Sequence, residues 1–172
     1  MRQIKINSTT GNEILTAQEV KDYVRIDTTS DDNIISAMIT QARIWCENYI
    51  SRDIVGKNRT YYLPTTNGVF DLPFGPVEII STVNVSGTNT TAFEVLGLDN
   101  ETIELDGGGA DRVKVTYITT GLNDSLIKQA MLQLISTYYD NRADFESGSS
   151  KEVSEIPTNT KVILTSYKTM FL

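Results

Sequence analysis

The residues of this chain best suited to chemistry are its carboxylates. Glu101, Glu104 and Asp106 recur at short intervals, and paired carboxyl groups can supply the acid and base of glycoside hydrolysis. They occupy alternating positions of a strand-like segment, so a solvated acidic face explains them without any reaction. Asp27, Asp31 and Asp32 also cluster, but the glycine and closing glutamate of a calcium loop are missing. Helix capping accounts for them. Gly107-Gly108-Gly109 lacks the Gly-Lys-Ser/Thr ending of a phosphate loop and is flanked by Asp106 and Asp111, which fits a hairpin tip. There is no histidine. That removes the commonest general base, the commonest zinc ligand and every Ser-His or Cys-His pairing. Tyr61-Tyr62 has no basic neighbour of the kind a base-stacking platform needs, and Tyr138-Tyr139 belongs to a helical stripe. The residues alone indicate a structural or interaction protein that is not an enzyme and needs no cofactor or metal.

The 172 residues suit one domain, or one domain with an insert. The apolar runs are too short to span a bilayer. The first residues, MRQIKINSTTGNEIL, have neither the apolar core of a signal peptide nor the arginines of a transit peptide, so the chain is expected to remain where it is made, without a membrane partner. A single cysteine, Cys46, excludes an internal disulfide and is expected to be buried and inert. The net charge of −7 is unevenly spread: Thr60 to Asp111 holds eight acidic residues and no Lys or Arg, leaving the remainder nearly neutral. Such a segment repels nucleic acid phosphate.

These side chains must be positioned by a frame, and the strongest helical signal is Ser30 to Asp53. Ile34, Ile35, Met38, Ile39, Ala42, Trp45, Cys46, Tyr49 and Ile50 share an arc of about 160°. Ser30 is the expected N-cap, with Asp31 and Asp32 in the first turn. Ser36, Thr40, Arg43 and Glu47 take the polar side, where Ile44 is the one large apolar residue. Upstream, Met1 to Ile14 reads as an extended or mobile lead-in. Thr16 and Glu19 have capping-box spacing, with Leu15 and Val20 as a staple, and start a short helix from Ala17 to about Arg25 with Val20, Tyr23 and Val24 inward.

From Arg59 to Ile118 β-branched and alternating residues are punctuated by turns. Strands are expected at Arg59–Leu63, Val69–Leu72, Glu78–Ser86, Ala92–Leu98, Glu101–Leu105 and Arg112–Ile118, forming an antiparallel meander or small sandwich. A helix capped at Asn123 or Asp124 follows, running to about Arg142. Its apolar residues sweep about 240°, so it must pack on two sides, either against the long helix and the β-module or with one flank at a subunit interface. Residues 143–155 form a polar linker, and Thr158 to Lys168 a last short helix with Val162, Ile163, Leu164 and Tyr167 on its apolar side. The fold class is therefore α+β: a helical bundle of a short capped helix, a long helix, a late helix and a C-terminal short helix, with an inserted antiparallel β-meander or small sandwich. Within one domain, 1–172, the frame is 15–58 and 119–142, the acidic insert 59–118, the linker 143–155 and the C-terminal arm 156–172.

The order of these segments resembles the head–tail connector (adaptor) proteins of tailed bacteriophages, the gp6-like group. Thr16, Glu19, Lys21, Tyr23, Arg25, Ile26, Asp27, Asp31 and Asp32 match the opening pattern of that group. Ile127 to Arg142 match its late helix, and Pro157, Leu164, Tyr167 and Lys168 loosely match its closing segment, with Ile163-Leu164-Thr165-Ser166 departing from it. The resemblance implies a non-enzymatic virion protein at the head–tail neck, made in the host cytoplasm. It implies a homo-oligomeric ring, typically of about twelve copies, whose contacts differ at the two faces of each subunit. The portal protein and a tail or tail-completion (stopper) protein would be its partners, and DNA would pass through without specific binding. The residues proposed to contact subunits or partners are Ile44, Leu132, Tyr139, Ile163, Leu164, Tyr167 and Phe171. Glu94, Glu101, Glu104 and Asp106 would line the channel or an outer face. A β-rich carbohydrate-binding or adhesion module is the alternative.

Overall fold

The structure is a computed structural model that describes residues 1–141 and 158–169. The expected linker 143–155, Ile156-Pro157 and Phe171 lie outside the described residues. The fold is α+β, and the chain divides into two compact units: a helical unit, Glu13–Ile50 with Asn123–Lys168, and a β unit built mainly from Met1–Asn12 and Ser51–Leu122.

The helical unit contains α1 (Ala17–Val24), α2 (Asp32–Ile50), α3 (Ser125–Asp140) and α4 (Thr158–Thr165). The capping box forms as its spacing predicts. Thr16 N donates to Glu19 Oε2 at 2.7 Å, and Glu19 N donates to Thr16 Oγ1 at 3.2 Å. Arg25, in the left-handed region at φ 59°, ends α1. The start of α2 is corrected from Ser30 to Asp32, because the first helical bond runs from Ile35 N to Asp31 O. Its end is corrected from Asp53 to Ile50, since Ser51 turns to φ 57°. Ile35, Met38, Ile39, Ala42, Cys46 and Ile50 of α2 are buried, as are Ile127, Ala130, Met131, Leu134 and Ile135 of α3. The excess apolar width of α3 is used within the unit, because α1, α2 and α4 all touch it.

Three expectations about faces fail here. Arg43 and Glu47 do not lie on a solvated side but are buried as an ion pair. Tyr23 and Val162 are exposed, whereas Lys21 is buried with Nζ 3.0 Å from Asp32 Oδ1. Each exchange has one cause: a charged side chain that reaches a partner can be buried, and a short helix covers only part of its apolar face.

The β unit contains β1 (Gln3–Thr9), β2 (Lys57–Thr66), β3 (Val69–Asp71), β4 (Val77–Val85), β5 (Thr88–Thr90), β6 (Phe93–Leu96), β7 (Thr102–Leu105) and β8 (Ala110–Thr119). The six expected strands are present within a few residues. β1 and β5 are additions: the lead-in is a strand paired antiparallel to β2, with Ile4 opposite Tyr61 and Ile6 opposite Arg59. The sheets are β1-β2-β8-β4-β5 and β3-β7-β6. This is a two-sheet arrangement and not a meander, because β2 pairs with the distant β8. Tyr61, Leu63, Val83, Val113, Val115 and Tyr117 of the larger sheet share one core with Phe70, Ile103 and Leu105 of the smaller.

Where the chain runs into and out of this unit, the two passes lie side by side. Asn58 stands opposite Ile118, and Leu122 N donates to Ile54 O at 3.0 Å. Gly121 is required here: its φ is +80°, and a Cβ would lie 2.6 Å from Ile54 O. Beneath this crossing Asp53 is fully buried. Its carboxylate accepts from Arg59 Nε at 2.8 Å, Lys57 Nζ at 3.1 Å and Thr119 Oγ1 at 2.8 Å. The Arg59 guanidinium also lies 3.9 Å over the Phe74 ring.

Candidate interaction surfaces

In the helical unit, backbone geometry decides which of the expected contact residues face outward. Ile44 lies on the side of α2 away from the buried stripe and is 47 % exposed. Leu132 and Ile163 are half-buried on α3 and α4. Leu164 is corrected: it is wholly buried and belongs to the core of the unit, where helical spacing turns it inward. Tyr139 and Tyr167 are half-buried and committed within the chain. Tyr139 Oη donates to Asp31 Oδ2 and Tyr167 Oη to Asp124 Oδ1, each at 2.6 Å. Asp124 also caps α3 by accepting from Leu126 N at 2.8 Å. The Tyr167 hydroxyl and the Leu126 N–H hold the Asp124 carboxyl below its usual range, and the same contact pushes the Tyr167 phenol up. Ile34, Leu126 and Val162, expected on apolar faces, are exposed. A polar hollow of about 420 Å³ lies between Tyr23, Gln133, Ser136, Thr158 and Asn159.

Charge inside the helical unit is paired. Arg43 Nε lies 2.7 Å from Glu13 Oε2, and its Nη1 2.9 Å from Glu47 Oε2. Burial alone would push the Arg43 guanidinium down, but the two carboxylates outweigh it and hold its pKa above the ordinary value. The signal was legible in principle, since Arg43 and Glu47 have i, i+4 spacing.

The acidic residues of the β unit do not form one face. Glu94 on β6 and Glu104 on β7 are exposed and directly opposite each other in the ladder. Asp106 is exposed in the following turn, its N–H bonded to Ala92 O. Glu101 is corrected. It precedes β7 instead of alternating along it, and Arg52 Nη2 lies 3.4 Å from its Oε1 and 2.9 Å from Asp99 Oδ2. Burial pushes the Glu101 carboxyl up, partly countered by Arg52. Among the described residues no cluster of three or more His, Cys, Asp or Glu could hold a metal ion, and no helix is long and apolar enough to cross a membrane.

The β unit has two surface features that sequence reasoning missed. One is an open groove of about 1000 Å³ beside β1, in which Ile4, Leu63 and Phe70 lie among polar lining residues that include Arg2, Thr65 and Asp71. The alternation of Ile4, Lys5 and Ile6 was its visible signal. Ile4 and Ile6 share the core-facing side of the sheet with Tyr61 and Arg59, yet are 39 % and 49 % exposed. The other is the end of β6 and the loop that follows it, where Leu98 is fully exposed and Val95 and Leu96 of the strand are partly so.

No curated protein sequence matches the chain. Its fold is similar to chains in three solved particles. One, described as the neck of an empty GTA particle computed with C6 symmetry, has a TM-score of 0.74 at 15% identity. A second, from the virion of a native gene transfer agent (GTA) particle, has a TM-score of 0.70 at 15% identity. A third, the neck of a native GTA particle computed with C12 symmetry, has a TM-score of 0.69 at 16% identity. Each match covers 99% of this chain and 97% of the other. The description of phage gp6-like head-tail connector proteins matches residues 15–103, from the staple before the capping box through β7's hydrophobic core position, slightly more than half the chain. That match spans more than half of the chain, from the capped α1 into β7, and the chain belongs to the phage gp6-like head-tail connector proteins.

Proposed function

We propose that the protein is a non-enzymatic structural subunit of the virion neck. It forms a ring between portal and tail, extends the DNA channel and offers the tail machinery a docking surface. The observation that carries this reading is family membership across residues 15–103 combined with a whole-chain likeness to chains from GTA necks and virions. Two of those necks were computed with C6 and C12 symmetry, which supports a ring of about twelve copies built by closed rotation. Ile44 suits a lateral contact, because it is apolar, exposed and outside the core stripe, and Leu126 and Val162 are exposed apolar residues of the same unit. The excess negative charge of residues 60–111 suits a surface past which DNA must slide without adhering.

Electron microscopy of the purified protein, alone and with portal, tests the reading. Closed rings, or density at the neck of particles, are expected. A chain that stays monomeric with portal and is absent from particles would overturn it.

A further inference from the structure

We propose that the β unit carries a head-to-tail contact between copies of this chain, in which Leu98 on the β6–β7 loop of one copy, with Leu96 at the end of β6, docks into the groove beside β1 of the next. The inference rests on the ring reading above and names the surfaces that would join its subunits.

Among the described residues, none closes the groove. β1 ends the order of the five-stranded sheet and β3 ends that of the three-stranded sheet, so two strand edges flank a groove whose apolar part is Ile4, Leu63, Phe70 and Pro73. Ile4 and Ile6 point the way the core residues point, but the smaller sheet does not cover them. The loop is the complementary feature. Turn tips are usually polar, whereas this one exposes Leu98, next to a half-exposed Leu96 at the end of β6. It cannot fill the groove of its own copy through the sheet, because β7 separates β6 from β3. Apolar surface at two different places on one molecule is buried by a heterologous contact, and repetition of that contact closes into a ring when the rotation allows.

Charge points to the same occupant. The stretch through Asn12 carries Arg2 and Lys5 and no acidic residue, and Arg2 lines the groove on the β1 side, with Asp71 of β3 also in the lining. The loop is approached by β6 and β7, whose Glu94 and Glu104 face each other across the ladder with no salt-bridge partner among the described residues. Like charges directly opposite are unfavourable. A cation from the next copy relieves them, and the arrangement disfavours pairing the same patch with itself.

The test mixes full-length Ile4→Cys and Leu98→Cys chains and treats them with a short bis-maleimide; Cys46 is buried and does not compete. The expected product links one chain of each kind, identified by mass spectrometry, and neither variant alone gives it. At low salt Arg2→Glu in the groove chain should abolish the product and Glu94→Arg in the loop chain should restore it. Rings that assemble without the cross-link overturn the contact and leave the ring reading standing. A wild-type chain that never self-associates, alone or on the portal, overturns both. A yield indifferent to Arg2→Glu overturns the assigned orientation.

Discussion

Arg43 and Glu47, one turn apart on α2, form an ion pair at 2.9 Å in which both side chains are buried. Removing the cation leaves a buried carboxylate without it, and such breaks cost about 3–5 kcal/mol. Arg43→Met should therefore lower the urea midpoint sharply. Arg43→Met with Glu47→Leu should recover much of the loss, because two apolar groups replace two buried charges. Equal losses in the single and double variants would show that the pair is not the unit of stability.

Ile44→Glu is expected to leave the subunit folded, with a stability change within about 0.5 kcal/mol, because the buried stripe of α2 is untouched. Ring assembly should be impaired, as read by sedimentation velocity and electron microscopy. Normal rings from this variant would locate the lateral contact elsewhere.

The capping box of α1 gives a pH dependence with a definite sign. The Thr16 backbone N–H, and then its hydroxyl, hold the Glu19 carboxyl below its ordinary 4.5. A depressed carboxyl contributes stability above its unfolded value and loses it as pH falls through the folded value. The stability gap between wild type and Glu19→Gln, measured by urea titration, should be constant near neutrality and shrink below the ordinary carboxylate range. Thr16→Ala should cost about 1 kcal/mol.

Burial, with the nearby Glu47 charge adding to it, pushes the Cys46 thiol up to about 12. At mildly alkaline pH the folded protein should react with a thiol reagent only as fast as it unfolds. Addition of urea should release one rapidly reacting thiol per chain. Fast labelling of the native protein would contradict the buried placement.

Asp53 accepts three side chains in the floor of the β unit, among them Lys57 and Arg59. Asp53→Ala would leave those two cations buried together and should destabilise the β unit by about 3–5 kcal/mol. Loss of protected amides in β2 and β8 by hydrogen exchange would report it.

The chain spelled out its regular elements well, because period and punctuation are local. The capping box, the six strands and the late helix all appear where Thr16, the Gly/Pro turns and Asp124 announce them. What failed was any assignment that required a distant partner. Arg43 reads as polar surface until Glu13 and Glu47 close around it, and Ile4 to Ile6 reads as a tail until Tyr61 and Arg59 stand opposite. Leu164 reads as sticky until its own unit buries it. The contact residues fared unevenly for the same reason. Ile44 was visible because it breaks a pattern within its helix, whereas the groove is assembled from segments some sixty residues apart, such as Ile4 and Tyr61.

The side-by-side passage of the chain at Asn58 and Ile118, secured by the Leu122–Ile54 bond, has a consequence for how such a protein can change over generations. A segment whose two ends already meet can be lengthened, shortened or exchanged at the cost of little more than a short loop closure. The helices before and after it would then be spared the remodelling. A foreign β segment could be grafted between residues 50 and 123 on the same grounds, provided that it offers β1 a partner strand as β2 does.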